Sequence, residues 1–359
     1  MLPERPETEI RRVSAQRTWD AGSLEFVGSC LLCGSTSSRM LYEGLEDRNF
    51  FAVPGTWNLH QCAECGLVRL DPRPSRETIG LAYASYYTHA TSVSPEPSPS
   101  HLRRALTYGY LNASYGYDFF PAARLGAFVL PFFPFRRARA LRRIRHLAKP
   151  SSNGRLLDIG CGDGRFLLEM RRGGWAVEGI EPDPDAAQLA RSAGLDVHQG
   201  AFSGHFFESE WFDAVTLNHV LEHLHDPLAA LRGAFRILKP GGAISITTPN
   251  LRSAGHHRFG RHWLHLDPPR HLAIFDAMTL RSSLEGCGFS VRAASPNPLT
   301  RWTYYASSAV EAGIDPFDAD FVPPRMLRFE ARLAAGRAVM RRDDAEELAV
   351  VAQKPTADS

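Results

Sequence analysis

The stretch "LLDIGCGDGRF" at residues 156–166 joins an apolar run to a glycine-rich turn and then to a helical pattern. Glycines at such a turn let the backbone bend sharply and approach a ligand closely, while the start of the helix offers free N–H groups. The next apolar run, "AVEGIEP", brings Glu181 to its end, 17 residues after Gly164. A carboxylate at that point can bind both hydroxyls of a ribose. The stretch therefore predicts a strand, a ligand-binding loop and a helix.

The same alternation of strand and helix patterns continues beyond residue 151. Strand patterns follow in "LDVHQG", "FDAVTLNHV", "GAISITTP", "SVRAAS" and "ELAVVAQK", with "DPLAALRGAFRILKPGG" expected as a helix. Strands that alternate with helices of this length predict a parallel, doubly wound α/β sheet. We assign this domain to residues 151–359, with an insertion at about 296–342 to which the sequence gives no role.

Two ligand classes fit a glycine-rich turn of this kind. A nicotinamide dinucleotide site would require GxGxxG, whereas this turn is G-C-G-D-G and follows Asp158. A carboxylate there favours a ligand with an amino group over a pyrophosphate, which it would repel. The stretch resembles the class I S-adenosylmethionine-dependent methyltransferases, whose first motif is D-x-G-x-G-x-G. The resemblance spans about 151–295 and implies a Rossmann-like, seven-stranded sheet.

The resemblance also implies which residues hold S-adenosylmethionine. The glycine loop would line the methionine and ribose, Glu181 would bind the ribose hydroxyls, and the two residues after it would lie beside the adenine. Relatives often carry an acid after the third strand, but this chain has only Gly200 and Ala201, so adenine recognition there would use the backbone. The implied cofactor residues are Asp158, Gly160, Cys161, Gly162, Gly164, Glu181, Pro182, Asp183, Gly200, Ala201, Asn218 and His219.

Four of the six cysteines form two CxxC pairs within residues 25–90, namely Cys30, Cys33, Cys62 and Cys65. Four thiolates make a closed tetrahedral zinc site with a structural role. We therefore predict a small zinc-ribbon-like domain at 25–90, preceded by a mobile tail at 1–24. Cys161 and Cys287 stand apart and are interpreted as a loop and a core residue.

A four-cysteine unit before a class I domain resembles a bacterial methyltransferase group of sugar, polysaccharide and secondary-metabolite biosynthesis. That group includes deoxysugar C-methyltransferases, in which a tyrosine of the small domain faces the active site, so Tyr86 and Tyr87 are candidates here. The C-methyltransferases carry a second C-terminal α/β half and an acid before the active-site histidine, where this chain has Arg270. Both differences favour O-methylation of a hydroxyl. C-methylation of a nucleotide-linked deoxysugar is one alternative, and methylation of RNA held by a zinc-ribbon RNA-binding unit is another.

Five histidines fall within "GHHRFGRHWLHLDPPRHLAIF" at 255–275. Metal ligation is not favoured there, because Pro268 and Pro269 break helical spacing. A hydroxyl acceptor gains from a base of near-neutral pKa, and histidine supplies one. By the resemblance His271 is the first candidate for the base and His223 the second, with Arg270 and Trp263 as pocket walls. His256 and His257 are expected on the loop surface.

Charge is concentrated in residues 101–150, which hold ten Arg and Lys against one acid although the whole chain has a formal net charge of +2. We interpret 91–150 as a Pro/Ser linker followed by a basic helical segment. Its partners would be anionic lipid, a nucleotide- or lipid-linked sugar acceptor, or RNA; the local character of the charge makes nucleic acid the weaker alternative. No signal peptide or membrane span is recognised, which predicts a cytoplasmic protein.

Overall fold

A computed structural model describes residue 19 and residues 21–83, 100–150, 153–203, 206–296, 301–318 and 320–356. Its largest element is a sheet of seven strands. They are β6 (Arg155–Ile159), β7 (Ala176–Glu181), β8 (Asp196–Gln199), β9 (Phe212–Asn218), β10 (Leu238–Pro249), β12 (Ser290–Pro296) and β13 (Glu347–Gln353). Their order across the sheet is β12-β13-β10-β9-β6-β7-β8.

Strands β6 to β10 of this sheet run parallel to one another. Strand β13 is the reversed strand, antiparallel to both β10 and β12. Side chains alternate across it, so Leu156 joins the core on one face and Leu157 the core on the other. Helices α4 (Arg165–Arg172) and α5 (Pro184–Ser192) cover the first face, and α6 (Pro227–Ile237) and α8 (Ala277–Gly286) cover the second. The predicted Rossmann-like, doubly wound, seven-stranded fold is confirmed.

One element of the main sheet differs from the sequence expectation. The helix predicted over "DPLAALRGAFRILKPGG" ends at Ile237, and "LKPGG" opens β10 instead. Leu238 pairs with Phe212 of β9 before the register shifts. Helix α6 therefore stops where the chain must enter the sheet, a tertiary requirement that helical periodicity does not record.

The cysteine unit forms a second sheet. Strands β2 (Ser38–Leu45), β3 (Trp57–Cys62) and β4 (Val68–Leu70) form an antiparallel meander, and β1 (Leu24–Glu25) pairs separately with β5 (Arg73–Pro74). The meander gains a fourth strand, β11 (Ala273–Ile274), from the histidine segment. A strand assigned by sequence to the C-terminal domain therefore completes the N-terminal sheet.

The last residues of the predicted mobile tail, 1–24, form defined structure. Trp19 packs edge-on against Trp57, with ring centroids 5.4 Å apart, and a 3₁₀ helix covers Ala21–Ser23. The backbone N–H of Ser75 donates to the carbonyl of Ser23 at 3.0 Å. Residues 1–18 and 20 lie outside the described part of the chain.

The basic segment and the insertion are both helical. Helices α1 (His101–Tyr115) and α3 (Pro134–Arg143) contribute to the core beneath α4 and α5, and α2 (Gly126–Val129) packs on α1 through Gly126. In the insertion, α9 (Arg301–Glu311) and α10 (Arg325–Met340) pack over the histidine segment, which itself begins with α7 (Ala254–Phe259). The insertion therefore buries a segment that the sequence suggested would line a pocket.

Candidate active site

The glycine loop lies between β6 and α4, and its three glycines meet two different requirements. A Cβ on Gly160 would lie 2.5 Å from Val220, and one on Gly164 would lie 2.3 Å from Leu195, so both are needed for packing. Gly162 has a φ of +56° but faces no heavy atom within 4 Å. The backbone at Gly162 therefore borders open space, which is where a ligand can approach it.

Glu181 at the end of β7 lies directly beside this loop. Its carboxylate accepts the N–H of Gly162 at 2.8 Å and the N–H of Asp183 at 3.0 Å. Asp183 in turn caps α5 by accepting the N–H of Ala186 at 2.8 Å, while Pro182 is exposed. The N–H of Gly200 donates to the Glu181 carbonyl at 2.9 Å, and Ala201 follows at the surface. The predicted ribose and adenine residues thus share one edge of the sheet.

Two residues of the predicted loop face inward instead. The Cys161 side chain is buried against Gly179, since a Cβ on Gly179 would lie 2.7 Å from its Sγ. Asp158 is fully buried and forms an ion pair with Arg145, and it also accepts the Thr216 hydroxyl at 2.7 Å. Its Oδ2 has no hydrogen-bond partner among the described residues. The Cys161 side chain is therefore directed away from the open side of the loop.

Arg145 is a site residue that the sequence analysis did not single out. It follows α3 with a φ of +46°, places its guanidinium 3.6 Å from the centroid of the Phe166 ring, and donates to Thr216 Oγ1 at 2.8 Å. The basic segment therefore reaches the end of β6 through this one side chain. Arg145 is one of ten basic residues in this segment, and its neighbouring sequence does not distinguish it from the others.

Asn218 ends β9, and His219 follows it, near the same edge of the sheet. His219 lies between two carboxylates, with Nδ1 3.3 Å from Glu222 and Nε2 3.4 Å from Glu347. Burial alone would lower the pKa of His219, but the charges of Glu347 and Glu222 outweigh it and raise the pKa to about 10. The ring is therefore an imidazolium at neutral pH and is not a base.

His223 and His271, the two predicted bases, are brought together with their ring centroids 4.7 Å apart. Nδ1 of His271 donates to the carbonyl of His265 at 2.7 Å, and Nδ1 of His223 donates to the carbonyl of Arg270 at 3.0 Å. Because a carbonyl only accepts, we infer that each neutral ring carries its proton on Nδ1. Both rings therefore leave Nε2 as the basic nitrogen.

The surroundings of His223 weaken it as a base. Burial, followed by the neighbouring His271, lowers the pKa of His223 to about 4, which makes it a neutral but weak base. Glu222 joins the pair, and one ligand atom from each of the three lies within 4.8 Å of the others, a grouping that could hold a metal ion. The sequence analysis had not favoured metal ligation by the histidine segment.

A tyrosine of the small domain does reach this pair, but it is Tyr83. Its hydroxyl lies 2.9 Å from His223 Nδ1 and therefore shares that proton with the Arg270 carbonyl. Tyr83 ends a 3₁₀ helix at Ile79–Tyr83 in the same aromatic run as the predicted tyrosines. Tyr86 and Tyr87 lie outside the described residues.

Arg270 is not a pocket wall. It is fully buried and its guanidinium forms ion pairs with Asp47 of the cysteine unit and with Asp267, while Asn49 donates to Asp267 at 2.9 Å. The 4.6 Å approach to the Phe50 ring adds a cation–π contact. The ion pairs join the cysteine unit to the histidine segment through the interior.

Two other expectations for the histidine segment also change. His256 is half-buried rather than on the loop surface, with Nδ1 2.5 Å from the Leu251 carbonyl and Nε2 2.9 Å from the Tyr42 hydroxyl. His257 is exposed, as expected. Trp263 is buried except at a small cleft that it borders with Leu266.

Glu346 supports the same segment and predicts a pH-dependent stability. It accepts the Trp263 Nε1–H at 2.8 Å and the Gly255 N–H at 2.7 Å, yet burial raises its pKa from 4.5 to about 7. Between these values the folded chain holds a proton that the unfolded chain releases, so stability is lost as pH rises towards 7. The contribution of Glu346 to the free energy of unfolding should therefore fall by about 1–3 kcal/mol between about pH 5 and about pH 8, measured with urea as the difference between the parent and a variant that lacks this carboxyl group.

Glu346→Gln should flatten this pH dependence, because an amide does not titrate. Glu330→Gln is the matched control, since Glu330 lies on α10 in an exposed ion pair with Arg258. An unchanged pH slope in Glu346→Gln would assign the effect to another group.

The four cysteines of the small domain converge. Sγ of Cys30 lies 3.4 Å from Cys65 and Sγ of Cys33 lies 3.5 Å from Cys62, with all four within 4.8 Å of one another. Each CxxC turn closes with a glycine N–H that donates to the first cysteine's carbonyl. Zinc–sulfur bonds of about 2.3 Å place tetrahedral sulfurs at comparable separations, so this donor set fits zinc.

Comparison with known proteins identifies the central part of the chain. Residues 133–294 match the family model described as a methyltransferase domain. The ubiquinone biosynthesis O-methyltransferase of Xanthomonas oryzae pv. oryzae is 38% identical over 106 residues, 28% of this chain and 44% of that protein. That of Alkalilimnicola ehrlichii is 36% identical over 103 residues, 27% of this chain and 42% of that protein. The chain thus spans less than half the length of these curated relatives.

Among solved structures, an S-adenosylmethionine-dependent methyltransferase from Archaeoglobus fulgidus is 20% identical, with a TM-score of 0.40 over 66% of this chain and 96% of that one. With the sheet order and the family match, the central part of this chain carries a class I methyltransferase domain. Among the described residues, no helix is long and apolar enough to cross a membrane.

Proposed function

We propose that this protein transfers a methyl group from S-adenosylmethionine to a hydroxyl of a small-molecule acceptor. The observation that carries the proposal is the open space above Gly162 with the Glu181 carboxylate at its border. This arrangement lies at the carboxyl ends of parallel strands, where α/β sheets bind their ligands. The match of residues 133–294 to a methyltransferase domain supports the same conclusion.

In this proposal Glu181 binds the ribose hydroxyls, and the Gly200–Ala201 backbone borders the adenine. Asn218 and His219 are proposed to lie at the methionine end, with both ring nitrogens of His219 paired to Glu222 and Glu347. Asp158 acts indirectly, by holding the Arg145 guanidinium at the loop. Bound S-adenosylmethionine would supply an electrophilic methyl group, and the protein's main task is to align the acceptor with it.

The acceptor hydroxyl is proposed to lose its proton to Nε2 of His271. Its oxygen forms the bond to the methyl carbon as the carbon–sulfur bond breaks, and the electron pair remains on sulfur. Such general-base assistance contributes about 10²–10⁴-fold. His223 is the second candidate, because burial lowers its pKa to about 4.

The acceptor is proposed to be a sugar, a glycan or a secondary metabolite. The names of the curated relatives support transfer to oxygen. A second candidate is C-methylation of a nucleotide-linked deoxysugar, which the contact between Tyr83 and His223 favours, because a small-domain tyrosine faces the active site in the C-methyltransferases that this chain resembles. We also propose that the four cysteines bind structural zinc.

Calorimetry with S-adenosylmethionine tests the cofactor assignment. Glu181→Ala should weaken binding by about 10²-fold or more, because two hydrogen bonds to a charged group are lost at about 1.5–3 kcal/mol each. Glu178→Ala, three residues earlier on β7, is the matched control and should bind as the parent does. Equal affinities in all three proteins would overturn the assignment.

A further inference from the structure

The basic segment presents an unusual number of apolar side chains to solvent. Phe120 is 90% exposed, Phe132 82%, Phe128 72% and Leu125 62%. Phe133 and Phe135 are each 45% exposed, and every residue from 131 to 137 is exposed. We call residues 120–137 the apolar–basic surface. Soluble proteins seldom expose so many large apolar groups in one short stretch, and such patches mark interaction sites.

These side chains are not scattered around their helices. Leu125, Phe128 and Phe132 are spaced by three and four residues through α2 and the 3₁₀ turn that follows it, so they share one face. The opposite side is already occupied, because Gly126 packs so closely on α1 that a Cβ there would lie 1.8 Å from the Leu106 carbonyl oxygen. The exposed face is therefore held rigidly outward.

Positive charge surrounds this face. Arg124, Arg136, Arg137 and Arg139 are all exposed, and Arg136 lies 5.0 Å from the Phe133 ring centroid. The single acid of the segment, Asp118, is neutralised by Lys149 at 2.9 Å. A partner must therefore bury phenylalanine and leucine while offering negative charge.

We propose that the apolar–basic surface docks on an anionic lipid bilayer. Apolar rings enter the acyl boundary while arginines attract acidic headgroups, which is how interfacial helices bind membranes. A second copy of this chain fits poorly, because two like-charged faces would repel each other. The exposed phenylalanines would also let RNA bases stack, but Leu125 and the exposed prolines add aliphatic area that an acyl boundary buries and a nucleic acid does not.

The docking surface is continuous with the candidate active site through α3. That helix ends at Arg143, two residues before the Arg145 side chain that reaches Asp158. Docking would therefore hold the methyltransferase domain close to the bilayer. The proposal does not depend on the proposed function, and its test requires no methyl transfer.

Cosedimentation with vesicles tests the docking of the full chain. The protein should bind vesicles of phosphatidylcholine with phosphatidylglycerol and leave vesicles of phosphatidylcholine alone largely unbound. Each exposed arginine is worth about 1 kcal/mol near such a surface, so Arg124→Glu with Arg136→Glu should weaken binding by about 20-fold or more. Phe128→Ser with Phe132→Ser should weaken vesicle binding by about tenfold for each ring removed.

A matched control replaces exposed residues elsewhere. Phe329→Ser with Arg332→Glu changes one exposed ring and one exposed charge on α10, and it should bind vesicles as the parent does. Circular dichroism with thermal unfolding should give the same result in all variants, which shows that each is folded.

Three results would overturn the proposal. Vesicle binding that is absent, or equal in the parent and both surface variants, would exclude a bilayer. Salt-dependent RNA binding without vesicle binding would assign the surface to RNA. A dimer in light scattering that the phenylalanine variant abolishes, again without vesicle binding, would assign it to a second copy of the chain.

Discussion

Purified protein is expected to contain one zinc ion per chain, and Cys62→Ser should lose both the ion and the fold of the cysteine unit. Cys62 ends β3, is 2% exposed and lies 3.5 Å from Cys33. Structural zinc contributes about 10–16 kcal/mol to the folding of small zinc domains near pH 7. Elemental analysis measures the ion, and circular dichroism with thermal unfolding measures the structural loss.

The effect should extend beyond the small domain, since Cys30, Cys62 and Leu67 belong to the same apolar core as Phe275 and Leu280. Cys287→Ser is the control, because Cys287 lies outside the group of four. Full stability of Cys62→Ser would refute a zinc-dependent fold. Two zinc ions per chain would indicate that Glu222, His223 and His271 also bind metal.

Arg270→Met is expected to destabilise the chain by about 3–5 kcal/mol, the usual cost of removing one partner from a buried ion pair. The substitution keeps most of the side-chain length but leaves Asp47 and Asp267 buried without their cation. Because these contacts join the cysteine unit to the histidine segment, the loss should appear in urea unfolding of the whole chain. The free energy of S-adenosylmethionine binding should change by less than the free energy of unfolding does.

Arg261→Met supplies the comparison for this variant. Arg261 lies in the same segment, but its guanidinium is exposed and donates to the Glu43 carbonyl at 3.0 Å. Its loss should cost about 1 kcal/mol or less. If the two variants unfold at the same urea concentration, the buried ion pairs do not stabilise the fold.

Local patterns predicted the sheet well, because alternating burial and glycine turns are properties of neighbouring residues. The glycine loop is such a pattern, because its spacing is read from adjacent residues, although Val220 and Leu195, which exclude a side chain at Gly160 and Gly164, are distant in the sequence. Arg145 could not be found this way. Its role depends on a left-handed backbone turn after α3 and on Asp158, which lies 13 residues away on another element.

The histidine segment was harder to interpret for the same reason. Its polar sequence suggested an exposed pocket, but partners from distant positions bury it. Asp47 lies 223 residues from Arg270, and Tyr42 lies 214 residues from His256. The helix α9 contributes Ser307, whose hydroxyl accepts the Leu264 N–H at 3.0 Å. One sequence without homologues gives no signal for pairings of this separation.

The short strand β11 has a consequence for how this protein can have been assembled. It pairs Ala273 with Arg69 and Ile274 with Val68, so the meander of the cysteine unit has no open edge on that side. A recombination that moved only residues 25–90 into another protein would leave one edge of β4 unpaired, and bare strand edges promote aggregation. The transferable module is therefore discontinuous, and we expect homologues to gain or lose the cysteine unit together with the segment that carries β11.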